Sequence, residues 1–498
     1  MKPSAFRWPV LLSLYLASRL VGLMALPMFL DERIHLRWAY WIEQGRRLRV
    51  PLLAGRGLSV YLLAGIAPSS ADPVLAGRLL SVAVGLVTLV ASWRLALRLT
   101  GDRRVADVTA LFYIACPFTL LYDRMVLTDA FLAAFTALTL LLSVAVAEEP
   151  RQRSGVALGV AVALGVLSKT TGLVLFVFPL LAWALLGRDR RRALGPLAGA
   201  YAVAATLVAY PLWLFFRKTD ELAGAIGLRD GDTSFAGNAS TNLGLAAAWL
   251  WTYWTPPLIV LALAGLAAAL VRRERAQGAL LLALIAAGPA VAFVAVSEIW
   301  YPRYLLFTTV PLLPLAGWGL VGLLDLVRAR AQLGPAAAGL LTAASLIAVL
   351  LPALRFDLAL WTDPSRAPFP ALDRFQYVTG WPSGYATRDS VAFLRAQRES
   401  HPHGLLLVTP GPSTTASAAR LLWARDPGVE VRYVAEPEAA PPPLAGDGRG
   451  VFVVVSLAEG VRLPIGWTRE TRPEFASFKP DGTPGDRIYR VVSGGAGR

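Results

Sequence analysis

Cysteine is almost absent from this chain: Cys116 stands alone, which leaves no internal disulfide and no thiolate cage for a metal. Histidine is nearly as scarce. Of three in 498 residues two lie in the C-terminal tail, so histidine-based metal catalysis is not expected. Charge is the third shortage. Only 16% of residues are Asp, Glu, Lys or Arg against 56% hydrophobic, a balance that excludes a soluble protein whose surface must be wetted. The sequence is that of a polytopic membrane protein. Its net charge of +15 does not argue for nucleic acid, because most Arg residues sit in short clusters between apolar runs, where they orient helices. Nucleic-acid binding is discounted. There is also no internal repeat, no phosphate-binding glycine loop and no metalloprotease motif.

Apolar runs occupy about residues 8 to 29, 74 to 99, 105 to 121, 129 to 147, 155 to 168, 171 to 187, 193 to 216, 250 to 271, 278 to 297, 304 to 326 and 335 to 354. They predict roughly eleven spans, each judged against the ~20 residues that a bilayer core requires. The fifth and sixth are short. The Ser-Lys-Thr-Thr turn between them is therefore expected to dip into the membrane. The first run follows Lys2 and Arg7 but is too long for a signal peptide, so it reads as an uncleaved helix.

The basic loops "RLTGDRR", "EEPRQR", "GRDRRR", "VRRERAQ" and "VRARAQ" alternate with these runs and share a side with the N-terminus. Positive-inside bias makes that side cytoplasmic. The first outer loop, 30–73, nevertheless carries Arg33, Arg37, Arg46, Arg47, Arg49 and Arg56, a composition suited to amphipathic helices lying against lipid phosphates. After about Arg355 the composition changes to Pro, Asp, Arg and Gly. The strand-like "GLLLVT", "VRYVAE", "GVFVVVS" and "RIYRVV" alternate with a helical "ASAARLLWAR". The expected organisation is a transmembrane domain over 1–354 and a small extracytoplasmic α/β domain over 355–498.

Asp31 and Glu32 adjoin at the outer end of the first run, and Asp129 opens the fourth. Carboxylates at such edges are commonly solvated pairs or helix N-caps. An acid entering an apolar run costs a few kcal/mol unless it is paired or lines a wet cavity, so Asp129 is expected to face a site or Arg124. Lys169 and Arg303 break the rule that keeps cations inside. Snorkelling among Trp300, Tyr301 and Tyr304 is the ordinary explanation. With Arg56 the two cations could also form an anion site facing the acids, fit for a lipid phosphate and a nucleophile's proton.

The segments "DERIHLRWAYWIEQG", "GRLLSVAVG", "YDRMVLTDAF", "LGVLSKTTGL", "YPRYLLFTTVPLL" and "GWPSGYATRDSVAFLR", in this order, resemble the polyprenyl-phosphate-dependent glycosyltransferases of the C superfamily. Protein O-mannosyltransferases and lipid A aminoarabinose transferases are the nearest kinds. The resemblance implies sugar transfer from a polyprenyl-phosphate donor to a protein, lipid or glycan acceptor at the outer face of a bacterial-type plasma membrane, with inversion. It implies Asp31, Glu32 and Asp129 as catalytic residues, Asp31 being the base. It further implies Arg56, Arg124, Lys169, Arg303 and the adjoining Tyr304 as substrate-binding residues. One departure stands out: relatives often place Lys or Arg before Pro-Pro-Leu in the first loop, whereas this chain has "GRGLSVYL". No cofactor is required. A divalent cation on Asp31, Glu32 or Asp129 would suit carboxylate chemistry, but nothing in the spacing demands it. A lipid or sugar transporter and a non-catalytic cell-envelope assembly subunit are the alternative readings. Paired repeats or mid-span acids would favour the transporter.

Overall fold

In a bilayer every backbone polar group must be satisfied within the chain, so apolar runs of this length become helices. A computed structural model describes residues 7–217, 235–297, 300–410, 413–434, 448–456 and 472–491. Helix takes up most of each apolar run. Among the described residues seven helices are long and apolar enough to cross a membrane: Pro73–Thr100, Thr128–Glu148, Arg190–Phe216, Ala239–Val271, Arg275–Ala295, Pro302–Arg330 and Pro335–Thr362. The other runs are held in shorter helices, among them Arg7–Leu20, Gln152–Ser168 and Val177–Leu186. The chain is a multi-pass helical membrane protein with a small C-terminal sheet domain.

Two departures from the expected runs have local causes. The first run is helical only to Leu20; Gly22 then takes φ 58 with its Cα against the Trp361 carbonyl, where a Cβ would stand 2.3 Å from the oxygen. Only glycine tolerates both conditions. The run at 105–121 breaks at Cys116, because Pro117 cannot continue a helix and restarts one as Pro117–Tyr122. Helix boundaries elsewhere follow capping chemistry. Asp72 accepts from the Val74 and Leu75 amides at 2.9 Å each, and the helix it opens closes at left-handed Gly101.

Thr128–Glu148 is the central helix of the body, with 72% of its apolar window buried; Pro335–Thr362 has 11% buried and presents its apolar surface outward. Helices approach most closely where glycines face carbonyls. A Cβ on Gly265 would lie 2.0 Å from the Leu315 oxygen, and one on Gly319 would lie 2.0 Å from that of Leu261. These small residues let the two backbones touch.

The segment 30–73, expected as the first outer loop, is helical in three pieces, Leu30–Glu43, Val50–Leu53 and Gly57–Ile66. The C-terminal sheet has order β2-β1-β3-β5-β4, with β1 Leu405–Thr409, β2 Val429–Tyr433, β3 Gly450–Ser456, β4 Phe475–Phe478 and β5 Pro484–Arg490. β1 pairs parallel with β2 and β3, and β5 antiparallel with β3 and β4. Leu405 and Leu407 face Leu394 and Ala419 of the covering helices, while Leu406 and Val408 face a second apolar cluster. Both faces are covered, as parallel strands require.

This domain is seated on helix Leu30–Glu43. Leu421 packs with Leu36, Ala39 and Tyr40, Arg33 donates to the Thr414 carbonyl, and Arg425 pairs with Glu43 at 3.2 Å. The Leu30 amide donates to the Pro382 carbonyl at 3.1 Å. The helix that begins with the acid pair is thus held from the C-terminal side as well.

Candidate active site

The candidate residues stand where helices start or stop. Asp31 and Glu32 occupy the first turn of Leu30–Glu43, Asp129 the first turn of Thr128–Glu148, and Arg56 precedes Gly57–Ile66. Lys169 ends Gln152–Ser168 in extended backbone, and Arg303 and Tyr304 lie in the 3-10 turn Pro302–Leu305. Acids in a first turn are favoured by the helix dipole. Asp129 does not cap its helix, whose N-cap is Leu127.

Its carboxylate instead meets Lys169, with Nζ 2.7 Å from Oδ1. The same ammonium lies 3.8 Å from the centre of the Tyr304 ring, a cation–π contact. Arg303 donates to Asp31 at 2.9 Å and to the Gln376 side-chain oxygen at 2.7 Å. Its guanidinium is walled by Tyr301 at 4.6 Å, Phe29 at 5.6 Å and Tyr304 at 5.8 Å. Arg56 meets the Nε2 of His35 at 3.2 Å. The Nδ1 of that ring lies 2.8 Å from the Val126 carbonyl, which can only accept, so Nδ1 carries the hydrogen and Nε2 accepts from Arg56. Burial first, and then the charge of Arg56, lowers the His35 pKa to about 4, so the ring is neutral.

The structure therefore gathers Asp31, Asp129, Lys169, Arg303, Tyr304 and Arg56 by contact or by field. Burial would raise the Asp31 pKa, but Arg303, then Arg56, His35 and Lys169, outweigh it and hold the carboxyl below its usual value. Asp31 remains an anion. Three cations face two carboxylates, an excess of one positive charge. Asp31 is also reachable, its side chain being 18% exposed, whereas Glu32 is fully buried.

Glu32 and Arg124 are directed elsewhere. Glu32 accepts from Arg78 Nε at 2.9 Å and Nη2 at 2.8 Å, and from the amides of Phe29 at 2.9 Å and Val126 at 3.0 Å. Arg78 in turn donates to the carbonyls of Leu23 and Leu26, which the unwound end of the first helix leaves free. Adjacent acids thus have different occupations. Arg124 donates to the Val21 carbonyl at 2.8 Å and lines a small cavity with Arg78, Leu121 and Leu360. The charges acting on it are Arg78, Arg19 and Asp357, none of them in the gathered group.

Among the described residues no three His, Cys, Asp or Glu side chains are grouped to hold a metal ion. Asp31 and Asp129 each face a cation, and both Glu32 oxygens are occupied, so the carboxylates do not fit a divalent ion in this arrangement.

Sequence reasoning missed two members. His35 was visible in "DERIH", four residues after Asp31 and hence on the same helical face. Gln376 was not. It reaches Arg303 from the short turn Phe375–Thr379, a π-helical stretch of the kind frequent at functional sites. Just before it, buried Asp373 accepts from Tyr122 at 2.8 Å and from Tyr253, and Tyr377 donates to Tyr122 at 3.2 Å. Tyr253 is delivered by the kink at Thr255, with φ 58 ahead of Pro256 and Pro257.

Residues 58–215 match the family model of dolichyl-phosphate-mannose-protein mannosyltransferases. No curated protein matches the chain. Among solved structures, ArnT from Cupriavidus metallidurans bound to undecaprenyl phosphate is similar with TM-score 0.58 and 16% identity, over 99% of this chain and 98% of that one. Its apo state gives 0.56 at 16% identity, over 99% of each chain. The Archaeoglobus fulgidus oligosaccharyltransferase, in complex with Zn and sulfate, gives 0.56 at 14% identity, over 97% of this chain and 73% of that one. At these identities the structural likeness is one of fold, and the family model adds a sequence match that begins at Leu58, after Asp31, Glu32 and Arg56, and takes in Asp129 and Lys169. Together they agree with the resemblance first carried by the quoted segments, to the membrane-embedded glycosyltransferases of the C superfamily.

Proposed function

We propose that this glycosyltransferase moves a sugar from a polyprenyl-phosphate carrier to an acceptor hydroxyl on a protein, lipid or glycan at the extracytoplasmic face, with inversion and with Asp31 as base. The observation that carries this reading is the excess cation in the group around Asp31: Arg303, Lys169 and Arg56 against Asp31 and Asp129. The net positive charge suits a phosphate, and the partly exposed carboxylate beside it suits a hydroxyl. The likeness in fold to an undecaprenyl-phosphate-bound ArnT supports the same donor class.

In the reaction the acceptor oxygen attacks the anomeric carbon, its proton passes to Asp31, and the bond from that carbon to the phosphate oxygen breaks. The carrier leaves as a phosphate monoester, its charge growing from about −1 to about −1.5 to −2. Arg303, Lys169 and Arg56 stabilise that growth where little water competes. Arg303 links the two events. As it turns toward the phosphate its hold on Asp31 weakens, and the carboxylate becomes a stronger base. Glu32 and Arg124 support the site from behind. Direct displacement involves no covalent sugar intermediate, and no nucleotide enters.

Orientation is part of the proposal: cytoplasmic N-terminus, a transferase domain over 1–354 with its first outer loop at 30–73, and an extracytoplasmic domain over 355–498. A reporter fused after Arg192 should then read as cytoplasmic and one near Gly404 as external. The loop from Arg217 to Asn242 reads in sequence as an access lid or an ordinary connector, and its residues 218–234 lie outside the described residues. The chemistry is tested by incubating the protein in nanodiscs with a β-configured polyprenyl-phosphate sugar and cell-envelope acceptors. Release of polyprenyl phosphate with an α-linked product is expected. A β-linked product would overturn inversion, and transport of the intact lipid without release would overturn the reaction.

A further inference from the structure

Two of the three cations are held by groups that carry no charge. Arg56 donates to the imidazole of His35, and Arg303, besides pairing with Asp31, donates to the amide of Gln376. Among the described residues Arg56 meets no carboxylate at ion-pair distance. Both acceptors are buried, His35 at 2% and Gln376 at 4% exposure, and both are fixed from behind. His35 is anchored through the Val126 carbonyl, and Gln376 sits in a turn whose Asp373 and Tyr377 are tied to Tyr122. In such surroundings a carboxylate acceptor would hold a guanidinium more strongly, but it would also cancel the charge that an arriving anion needs. A neutral acceptor restricts the side chain and leaves its charge available.

We propose that His35 and Gln376 are positioning residues, neutral clamps that fix Arg56 and Arg303 without quenching them, and so give the site its affinity for a lipid-linked phosphate. The inference rests on the donor class proposed above and extends it to residues outside the reacting set. It explains why histidine occurs in the first outer helix of so histidine-poor a chain, and why a turn distant in sequence reaches into the site. The low pKa of His35 is consistent with the role, since a protonated ring could not accept from Arg56.

The test uses the full-length protein in nanodiscs, with undecaprenyl phosphate as probe and undecaprenol, which lacks the phosphate, as control. Gln376→Glu keeps the length and the acceptor oxygen of the clamp, so a merely structural role would tolerate it. A charge-preserving role would not. Gln376→Glu and His35→Glu are each expected to weaken undecaprenyl phosphate about tenfold or more while undecaprenol binding is unchanged. His35→Gln, which offers an amide oxygen near the place of Nε2, should stay within about threefold of wild type. A variant that loses undecaprenol is misfolded, and the other clamp then decides. Carboxylate variants that bind the phosphate as wild type does, when Arg303→Gln has lost it, would overturn the clamps and leave the donor class standing. Wild-type protein with no preference for the phosphate over the alcohol would overturn the donor class and the clamps with it.

Discussion

The group around Asp31 and the interior of the C-terminal domain both bury carboxylates, and they satisfy them in opposite ways. In the sheet domain Asp486 accepts from three hydroxyls, Ser390 at 2.9 Å, Ser456 at 2.5 Å and Thr415, while its own amide donates to Ser477 at 2.8 Å. Those residues come from two helices and two strands, so the cluster staples the domain. In the first group Asp31 and Asp129 meet cations, and the cations outnumber them. A carboxylate enclosed by neutral donors has nothing left to do but hold. One whose cations outnumber the carboxylates they face can respond to an arriving anion. Glu32 adjoins Asp31 but, like Asp486, is fully occupied: one cation, Arg78, supplies two of its donors and the Phe29 and Val126 amides supply the others, which ties helix Leu30–Glu43 in place.

The contrast is broken most severely by Asp31→Asn. Transfer per folded molecule should fall by about 10² or more with donor binding little changed, because the amide keeps the shape and removes the base. Asp31→Glu should also impair transfer, since about one methylene displaces the carboxylate. An active Asp31→Asn enzyme would move the base to Asp129. Next in size is Glu32→Gln, which strands Arg78 in a buried pocket; breaking such a pair costs about 3 to 5 kcal/mol, to be read as a lower unfolding midpoint. Its transfer rate per folded molecule should exceed that of Asp31→Asn. A stable but inactive Glu32→Gln would place Glu32 in the chemistry and erase the distinction. Asp486→Asn should lower stability by about 1 to 3 kcal/mol through poorer hydroxyl bonding, with transfer unaffected, as denaturation of the purified protein and a parallel assay would reveal.

The smallest expected effect is on the pH profile. Asp31 has a folded pKa below its ordinary value, so its ionised form, and the stability it contributes, persist above that value and are lost only as pH falls through the lowered one. Transfer should therefore stay level from neutrality down to about pH 5, well above the carboxylate range. A fall centred near pH 6.5 would instead report histidine and contradict the assignment of Asp31.

Much of the fold was readable because hydrophobic length is a strong signal. Most of every apolar run is helical, and "GLLLVT", "GVFVVVS" and "RIYRVV" coincide with β1, β3 and β5. The strand Phe475–Phe478 escaped notice because four residues with no alternation carry no period. The early end of the first helix and the break at Pro117 depend on a glycine contact and a proline that sit inside otherwise apolar runs. For the site, Asp31, Asp129, Lys169 and Arg303 were legible as charges out of place at helix ends. Their partners were not. Nothing in the sequence pairs Asp129 with Lys169 in preference to Arg124, or turns Glu32 toward Arg78, because those choices depend on which helices pack together. Gln376 is neutral and lies 73 residues from Arg303, so no periodicity or charge pattern could announce it.

The most direct measurement of the central claim is native mass spectrometry of lipids carried through purification by the wild-type protein and by an Arg303→Gln, Lys169→Gln double variant. Polyprenyl phosphate or its sugar ester should accompany the wild type, and the double variant should have lost it while retaining bulk phospholipid. If the wild type carries bulk phospholipid alone and does not take up added polyprenyl phosphate, the outer-edge cations are headgroup anchors and the proposed donor site is wrong.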